Sequence, residues 1–379
     1  MSSLALDVGG TYIKAARIRH GSILGPVVRR PVPDFVEAGF DEGAREFDPS
    51  QLDSAVFAVL AELGIEEIRS HTVFVSGQMA GLAFVDADGH AVRNIISWQD
   101  TRYQNIEAIA GALTSSQLTD LGDGLRVGSP AVTLAEHGVP KGSFPTSLIA
   151  YVAGRLAGTR ATRVHATDAG AWGLFDTRNM CWSQAACGAA SIDTQLLPSV
   201  RVHVEPIIDE SRVFTGVGDQ QAALLGAGVT EGMVSVNLAT GCQVSILARK
   251  FSDRVQTRPY FGGNYLHTVT HLPAGRLLSA AVQSAYGSNA ENTWSIALAD
   301  GAKEPGVARA IDTITDAVGR ATELLGAVGR PVLFTGGIVQ RFAPLRDAII
   351  QKLRPPEWSV YTGDDAALEG LARLAGNRV

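Results

Sequence analysis

Gly218-Asp219-Gln220-Gln221-Ala222-Ala223-Leu224-Leu225-Gly226 and Gly363-Asp364-Asp365-Ala366-Ala367-Leu368-Glu369-Gly370 share one pattern, a Gly-Asp pair leading into Ala-Ala-Leu-x-Gly. The copies lie in different halves of the chain, which points to an internal duplication. The surrounding elements recur in the same order. In the first half the apolar run Leu4 to Val8 turns at Gly9-Gly10, and Ile13 to Ile18 and Ile23 to Val28 read as two further strands. Helical spacing follows from Pro49 through Leu52, Val56, Val59, Leu60 and Leu63 to Gly64. Thr72 to Ser76 then reads as a buried strand broken by Gly77, and Gly81 to Arg93 as a hairpin turning at Asp88-Gly89. In the second half, Met233 to Leu247 reads as a strand pair folded about Ala239-Thr240-Gly241. Val307 to Val328 predicts an amphipathic helix with Ile311, Ile314, Val318, Ala321, Leu324 and Leu325 on one side. Pro331 to Phe334 predicts a strand ending at Thr335-Gly336-Gly337, with a helix running on to Leu353. The expectation is two α/β domains, residues 1–228 and 229–379, facing across a cleft.

Length and composition narrow the function further. A chain of 379 residues exceeds what one core usually serves, so two domains are the default. Hydrophobic residues at 46% against 18% charged suit a compact enzyme and exclude a disordered chain. The net charge of −6, with no basic stripe, argues against nucleic acid as a partner. Met1 to Asp7 has neither the basic region nor the apolar stretch of a signal peptide. No apolar run approaches the roughly 20 residues that a membrane span requires. Cys181, Cys187 and Cys242 lack metal-binding spacing, which speaks against a zinc site or a disulfide framework and fits a reducing compartment. A cytoplasmic protein acting on a small molecule, with no membrane or nucleic-acid partner, is expected; assembly as a homodimer stays open.

Six segments can carry chemistry. In Asp7-Val8-Gly9-Gly10-Thr11-Tyr12-Ile13-Lys14 the glycines let backbone N–H groups approach an anion, with Thr11 and Lys14 adding a hydroxyl and a charge. Asp7 is placed to hold Mg²⁺ through water. A plain Gly-Gly hairpin is the other reading, but Asn237 to Cys242 supplies a second such turn with Thr240 and Gly241. Asp219 is either the N-cap of an alanine-rich helix or a base for a substrate hydroxyl, kept ionised by the helix N-terminus. Gly336 and Gly337 can lie flat against a nucleotide or merely relieve crowding between strand and helix. Gln78, Met79, Trp98, Asp100 and Arg102 form a set able to stack on a sugar and bond its hydroxyls; a half-buried Trp beside an Asp–Arg pair is the alternative. There is no GxxxxGK[ST] motif.

Together these segments resemble the FGGY carbohydrate kinases of the sugar kinase, actin and heat-shock ATPase superfamily. The resemblance implies two ribonuclease H-like domains, the second shortened, with a sugar-binding first half and a nucleotide-binding second half. It implies ATP and Mg²⁺, with Asp219 as catalytic base and Asp7 at the metal. Gly10, Thr11, Lys14, Thr240 and Gly241 would then face the phosphates and Gly336 and Gly337 the adenosine. Gln78, Met79, Trp98, Asp100 and Arg102 would face the sugar. Within the family, Val236 to Gln243, Arg258-Pro259-Tyr260-Phe261 with Asn264-Tyr265-Leu266, and Trp98-Gln99-Asp100 look most like the sedoheptulokinases, implying a seven-carbon ketose. Xylulose or ribulose kinases, and a non-catalytic sugar-binding regulator derived from a kinase, are the alternatives. Repressor-related sugar kinases share the Asp-x-Gly-Gly-Thr opening, but their cysteine-rich zinc motif is absent. Ala80 stands where the family usually has histidine, which leads to the expectation of a roomier sugar pocket. Ile338-Val339-Gln340 stands where a third glycine and small residues are usual, and the Arg-Glu pair that serves glycerol is missing after Gln78.

Overall fold

Leu4, Leu6 and Val8 alternate along one strand with Ala5, and such a strand needs apolar partners on both faces. The computed structural model, which describes residues 3–37, 42–122, 124–287 and 290–376, supplies them. The strand β1 (Ser3–Val8) lies in a sheet with β2 (Tyr12–Arg19), β3 (Ser22–Pro31), β4 (Thr72–Gly77) and β5 (Val217–Gly218), in the order β5-β4-β1-β2-β3. The β1–β2 and β2–β3 pairs are antiparallel, whereas β1–β4 and β4–β5 are parallel.

On one face Leu4, Leu6 and Val8 meet Leu52, Val56, Val59 and Leu60 of α1 (Pro49–Glu62) and Leu148, Ile149 and Val152 of α2 (Leu148–Ala157). The start of α1 is set by its own sequence: Pro49 opens the helix and Asp48 caps the amides of Ser50 and Gln51 at 2.7 and 3.1 Å. Against the other face Ala5, Ala16 and Ile18 meet Ala222 of α4 (Asp219–Ala227) and Ala367, Leu368, Leu371 and Ala372 of α9 (Ala366–Gly376). The two copies of Ala-Ala-Leu-x-Gly therefore pack on each other. A methyl group at Gly226 would lie 1.8 Å from the Ala366 carbonyl, and one at Gly370 would lie 1.9 Å from that of Ala222. The shared glycines let the helix backbones touch.

A second sheet has the order β8 (Gln256–Pro259), β9 (Tyr265–Leu272), β7 (Cys242–Ala248), β6 (Val234–Leu238), β10 (Val332–Thr335), β11 (Trp358–Val360). Strip off β8 and the order read from β11 repeats that of the first sheet. The directions repeat too: β6–β7 is antiparallel and β6–β10 and β10–β11 are parallel. Its core is closed by α5 (Gly275–Tyr286), α6 (Pro305–Leu324) and α8 (Ala343–Leu353). Ile311, Ile314, Val318 and Ala321 are buried as the spacing predicts, but Leu324 is 59% exposed and Leu325 takes the inward position. The helix after β10 is two helices, α7 (Gly337–Arg341) and α8, parted at Phe342 with Pro344 in the first turn of the second.

The compact units are Met1–Gly226 with Arg258–Tyr265 and Asp365–Val379, and Ala227–Thr257 with Leu266–Asp364. The first crossing falls two residues before the expected 228/229 boundary. The final helix departs from a simple halving of the chain: the apolar face of α9 covers the first sheet, so the chain returns to the first unit at Asp365. Among the described residues no helix is long and apolar enough to cross a membrane.

Candidate functional site

Register alone gathers the first unit's site. Val8 pairs with Gly77 and Gly77 with Gly218, so three parallel strands end side by side and release Gly9, Gln78 and Asp219 at one edge. Ligands of open α/β sheets gather at such carboxyl ends. Gly77 is required there, because a methyl group would lie 2.7 Å from the Val8 carbonyl. Gln78 donates its backbone N–H to Val8 O at 2.9 Å and its side-chain amide to Gly9 O at 3.3 Å. The turn itself is closed by Gly9 N–H on Tyr12 O at 3.1 Å, leaving Gly10 and Thr11 exposed.

Asp7 is buried, accepting from Ser76 Oγ at 2.8 Å and facing Lys14 Nζ at 3.4 Å. Burial pushes its pKa up, opposed by the Lys14 charge. Lys14 also reaches Asp365 at 2.9 Å, so its ammonium sits between two carboxylates instead of projecting from the turn toward a phosphate. Asp365 in turn accepts the Leu368 N–H at 3.2 Å and opens α9.

Asp219 does not behave as an N-cap. Its carboxylate takes the adjacent Gln220 N–H at 2.7 Å, whereas a cap would take the amides two or three residues on. The side chain keeps some solvent access, yet protein surrounds the carboxyl closely enough that desolvation, joined by the charge of Asp7, raises its pKa to about 7. The expectation that the helix N-terminus keeps it ionised near neutral pH is opposed by this burial, which leaves ionisation about half complete there. The repulsion between the two carboxyls is one that a hydrated divalent cation would relieve, so Asp7 fits Mg²⁺ held through water and Asp219 is left to accept a proton.

Beside Asp219 lies a small cavity of ≈ 30 Å³ lined by Met79, Thr167, Gln221 and Arg258, with the Gly122, Gly124 and Arg126 loop as its far wall. Arg258 bonds the Gln220 side chain and lowers the pKa of Asp219 through its charge. Ala80 does not line the cavity. It is buried in the left-handed region at φ 64°, so the expected roominess does not arise from it.

Trp98, Asp100 and Arg102 stand apart, after the strand Ile95–Ile96 of a separate four-stranded sheet. Trp98 is 38% exposed and free to stack. Asp100 is buried and accepts from Arg45 N–H at 2.9 Å and from Arg102, which also pairs with Glu46. These two side chains therefore serve the loop that carries Trp98. Their loop adjoins the segment that carries the cavity residue Arg126, since a methyl group at Gly128, two residues further on, would be 2.2 Å from the Trp98 carbonyl.

In the second unit, β6 and β10 pair through Asn237 and Thr335, which places Ala239-Thr240-Gly241 and Gly336-Gly337 at one edge. The first turn is held by Gly275 N–H on Ala239 O and Arg276 N–H on Thr240 O, both at 3.1 Å, and leaves Thr240 and Gly241 exposed. Gly336 has φ 95° and no room for a side chain, with the Leu238 carbonyl 2.3 Å from a Cβ position. Gly337 faces open space. Val339 is buried in the core and Ile338 packs against it, so the bulky residues of this motif turn inward and leave the glycine strip clear.

Thr167, Gln221, Arg126 and Asp365 escape sequence reasoning because what assigns them is a contact with a residue distant in the chain. Gln221 and Asp365 offered one available signal, their place in the repeated Gly-Asp segments.

No family model matches the chain. It is 27% identical to a glycerol kinase of Cereibacter sphaeroides over 331 residues, 79% of this chain and 64% of that protein. It is 28% identical to a xylulose kinase of Streptomyces rubiginosus over 250 residues, 59% of this chain and 50% of that protein. The chain thus spans less than two thirds of these relatives' length. Among solved structures, a xylulose kinase from Rhodospirillum rubrum superposes with a TM-score of 0.84 at 18% identity, covering 99% of this chain and 90% of that one. A gluconate kinase from Lactobacillus acidophilus does so with a TM-score of 0.81 at 16% identity, covering 99% and 89%. These relatives and neighbours are carbohydrate kinases of the FGGY type, and the chain has their two-domain, actin-like α/β fold.

Proposed function

We propose that this protein is an ATP-dependent carbohydrate kinase that transfers the γ-phosphoryl group to a sugar hydroxyl. The observation that carries the reading is Asp219: it is released at the shared strand edge beside Gln78, does not cap its helix, and titrates near neutral pH. The names of the relatives support the same class of reaction.

In this reading a substrate hydroxyl placed against the small cavity loses its proton to the Asp219 carboxylate as its oxygen bonds to the γ-phosphorus. The bond from that phosphorus to the β,γ-bridging oxygen breaks and ADP leaves. Phosphoryl transfer asks the protein mainly for positioning and electrostatics, and one carboxylate base suffices. Mg²⁺, when bound through water at Asp7, supplies charge neutralisation of the phosphate oxygens. Gly10 and Thr11 in the first unit and Thr240 and Gly241 in the second offer exposed turns for phosphate, and Gly336-Gly337 a flat strip for adenosine. Lys14 sets the charge around Asp7. Gln78 and Met79 border the sugar's reacting end, and Trp98, carried by Asp100 and Arg102, offers a stacking face.

The substrate is a ketose in this reading. Sedoheptulose is the first candidate on the sequence resemblance, and xylulose or ribulose is the alternative, favoured by the xylulose kinase relative. ADP release measured with sedoheptulose, xylulose, ribulose, gluconate and glycerol tests the class and ranks the sugars. Asp219→Asn keeps the shape and removes the proton acceptor, so turnover falls roughly 10²–10⁴-fold with sugar affinity little changed. Near-normal turnover in that variant would sink the mechanism; sugar binding without ADP release in the unmodified protein would favour the non-catalytic alternative.

A further inference from the structure

β5 has only two residues, Val217 and Gly218, and it is the edge strand of its sheet, so its outward amides have no strand to bond. Gly218 is buried, and a buried N–H without a partner is costly. Its partner is a side chain: the Gly218 N–H donates to Thr167 Oγ1 at 3.1 Å. Thr167 belongs to α3 (Ala166–Ala169), a single helical turn behind the strand, and is itself fully buried.

The direction of every proton in this contact follows from the neighbouring histidine. His165 Nδ1 accepts the Thr167 backbone N–H at 3.2 Å, and His165 Nε2 lies 3.1 Å from the Val202 carbonyl, which can only accept. The imidazole is therefore protonated on Nε2 and bare on Nδ1. Thr167 Oγ1, at 2.8 Å from Nδ1, must donate its own proton there, which leaves its lone pairs turned to Gly218. The flanks are equally tight: a methyl group on Gly218 would lie 2.4 Å from Gln221 Oε1 and 2.5 Å from Met79 Sδ. The peptide that carries Asp219 is thus clamped on its sides by Met79 and Gln221 and pulled from behind by the threonine hydroxyl.

We propose that Thr167, oriented by His165, is a positioning residue for the phosphoryl transfer. Its hydroxyl holds the Gly218 amide and so fixes where the Asp219 carboxylate meets the substrate hydroxyl. The inference rests on the kinase reading of Asp219. A misplaced base lowers turnover more than it lowers substrate affinity, because ground-state binding uses other groups.

The test compares Thr167→Val, which keeps the shape, with Thr167→Ser, which keeps the hydroxyl. Both are assayed for ADP release well below their melting temperatures, with amide exchange at Gly218 followed in parallel by NMR. Thr167→Val is expected to lose roughly 10–100-fold in kcat, with sugar KM within about 3-fold, and to exchange Gly218 at least about 10-fold faster. Thr167→Ser is expected to stay within about 3-fold of the unmodified protein in both. A valine variant that melts earlier yet keeps its kcat would reduce Thr167 to a structural residue and overturn the proposal. So would a serine variant as impaired as the valine one. If the unmodified protein transfers phosphate to no sugar, the kinase reading fails, and Gly218 exchange decides the rest. Acceleration in valine that serine reverses upholds Thr167 as the anchor of Asp219, and unchanged exchange removes it.

Discussion

Gly370→Ala is the sharpest test of the internal duplication, because helix propensity and packing predict opposite signs. In an exposed helix, alanine in place of glycine is stabilising by about 1 kcal/mol. At Gly370 the new methyl group would lie 1.9 Å from the Ala222 carbonyl oxygen. Favourable heavy-atom contact begins near ~3.5 Å, so α4 and α9 would have to part by about 1.5 Å. That gap loosens Ala222, Ala367, Leu368, Leu371 and Ala372, all buried in one cluster. Overpacking of a tight core costs roughly 1–3 kcal/mol, and a contact this close belongs at the upper end, so the net destabilisation after the propensity gain is about 2 kcal/mol. For a unit of this size that lowers Tm by roughly 4–8 °C. Calorimetry with Gly188→Ala as a control makes the comparison internal. Gly188 lies in the short helix Gln184–Ala189 with nothing within 4 Å of its Cβ position, so alanine there should raise Tm slightly. A Gly370→Ala protein that melts with or above the unmodified one would refute the close crossing of the two repeated helices.

Three further outcomes follow from the site. Asp219 holds its proton up to about 7 in the folded protein against 3.8 ordinarily, so kcat/KM for sugar should climb about tenfold per pH unit below 7 and level off above it. The folded state binds this proton more tightly, so Asp219 opposes stability increasingly as pH rises from near 3.8 to about 7, and Asp219→Asn should raise Tm at pH 8 but not at pH 4. Gly337→Val places a branched side chain on the open strip and should raise KM for ATP with sugar KM unaffected; a loss confined to sugar would reverse the assignment of the two units.

The glycine turns, the strand and helix order and the repeated Ala-Ala-Leu-x-Gly were legible from residue pattern because each is local. Two-residue turns demand particular backbone angles, and buried strands demand continuous apolar runs. That legibility extended to Asp219, Gln78 and the paired turns at Thr11 and Thr240, since all lie next to a strand end. It did not extend to Lys14, whose charge meets Asp365 from the far end of the chain, nor to Asp100 and Arg102, which pair with each other and Glu46. Nor did the sequence show that α9 returns to the first unit. Its apolar face is equally suited to any sheet, and the partner is selected by the fit of Gly370 to Ala222 and Gly226 to Ala366, with the Lys14–Asp365 pair at the start of the helix. Pattern determined which elements form and which of their ends carry glycine, acid and hydroxyl. Tertiary packing decided which of those groups meet, because burial and proximity to Asp7 raise the pKa of Asp219, and the edge position of Gly218 gives Thr167 its work.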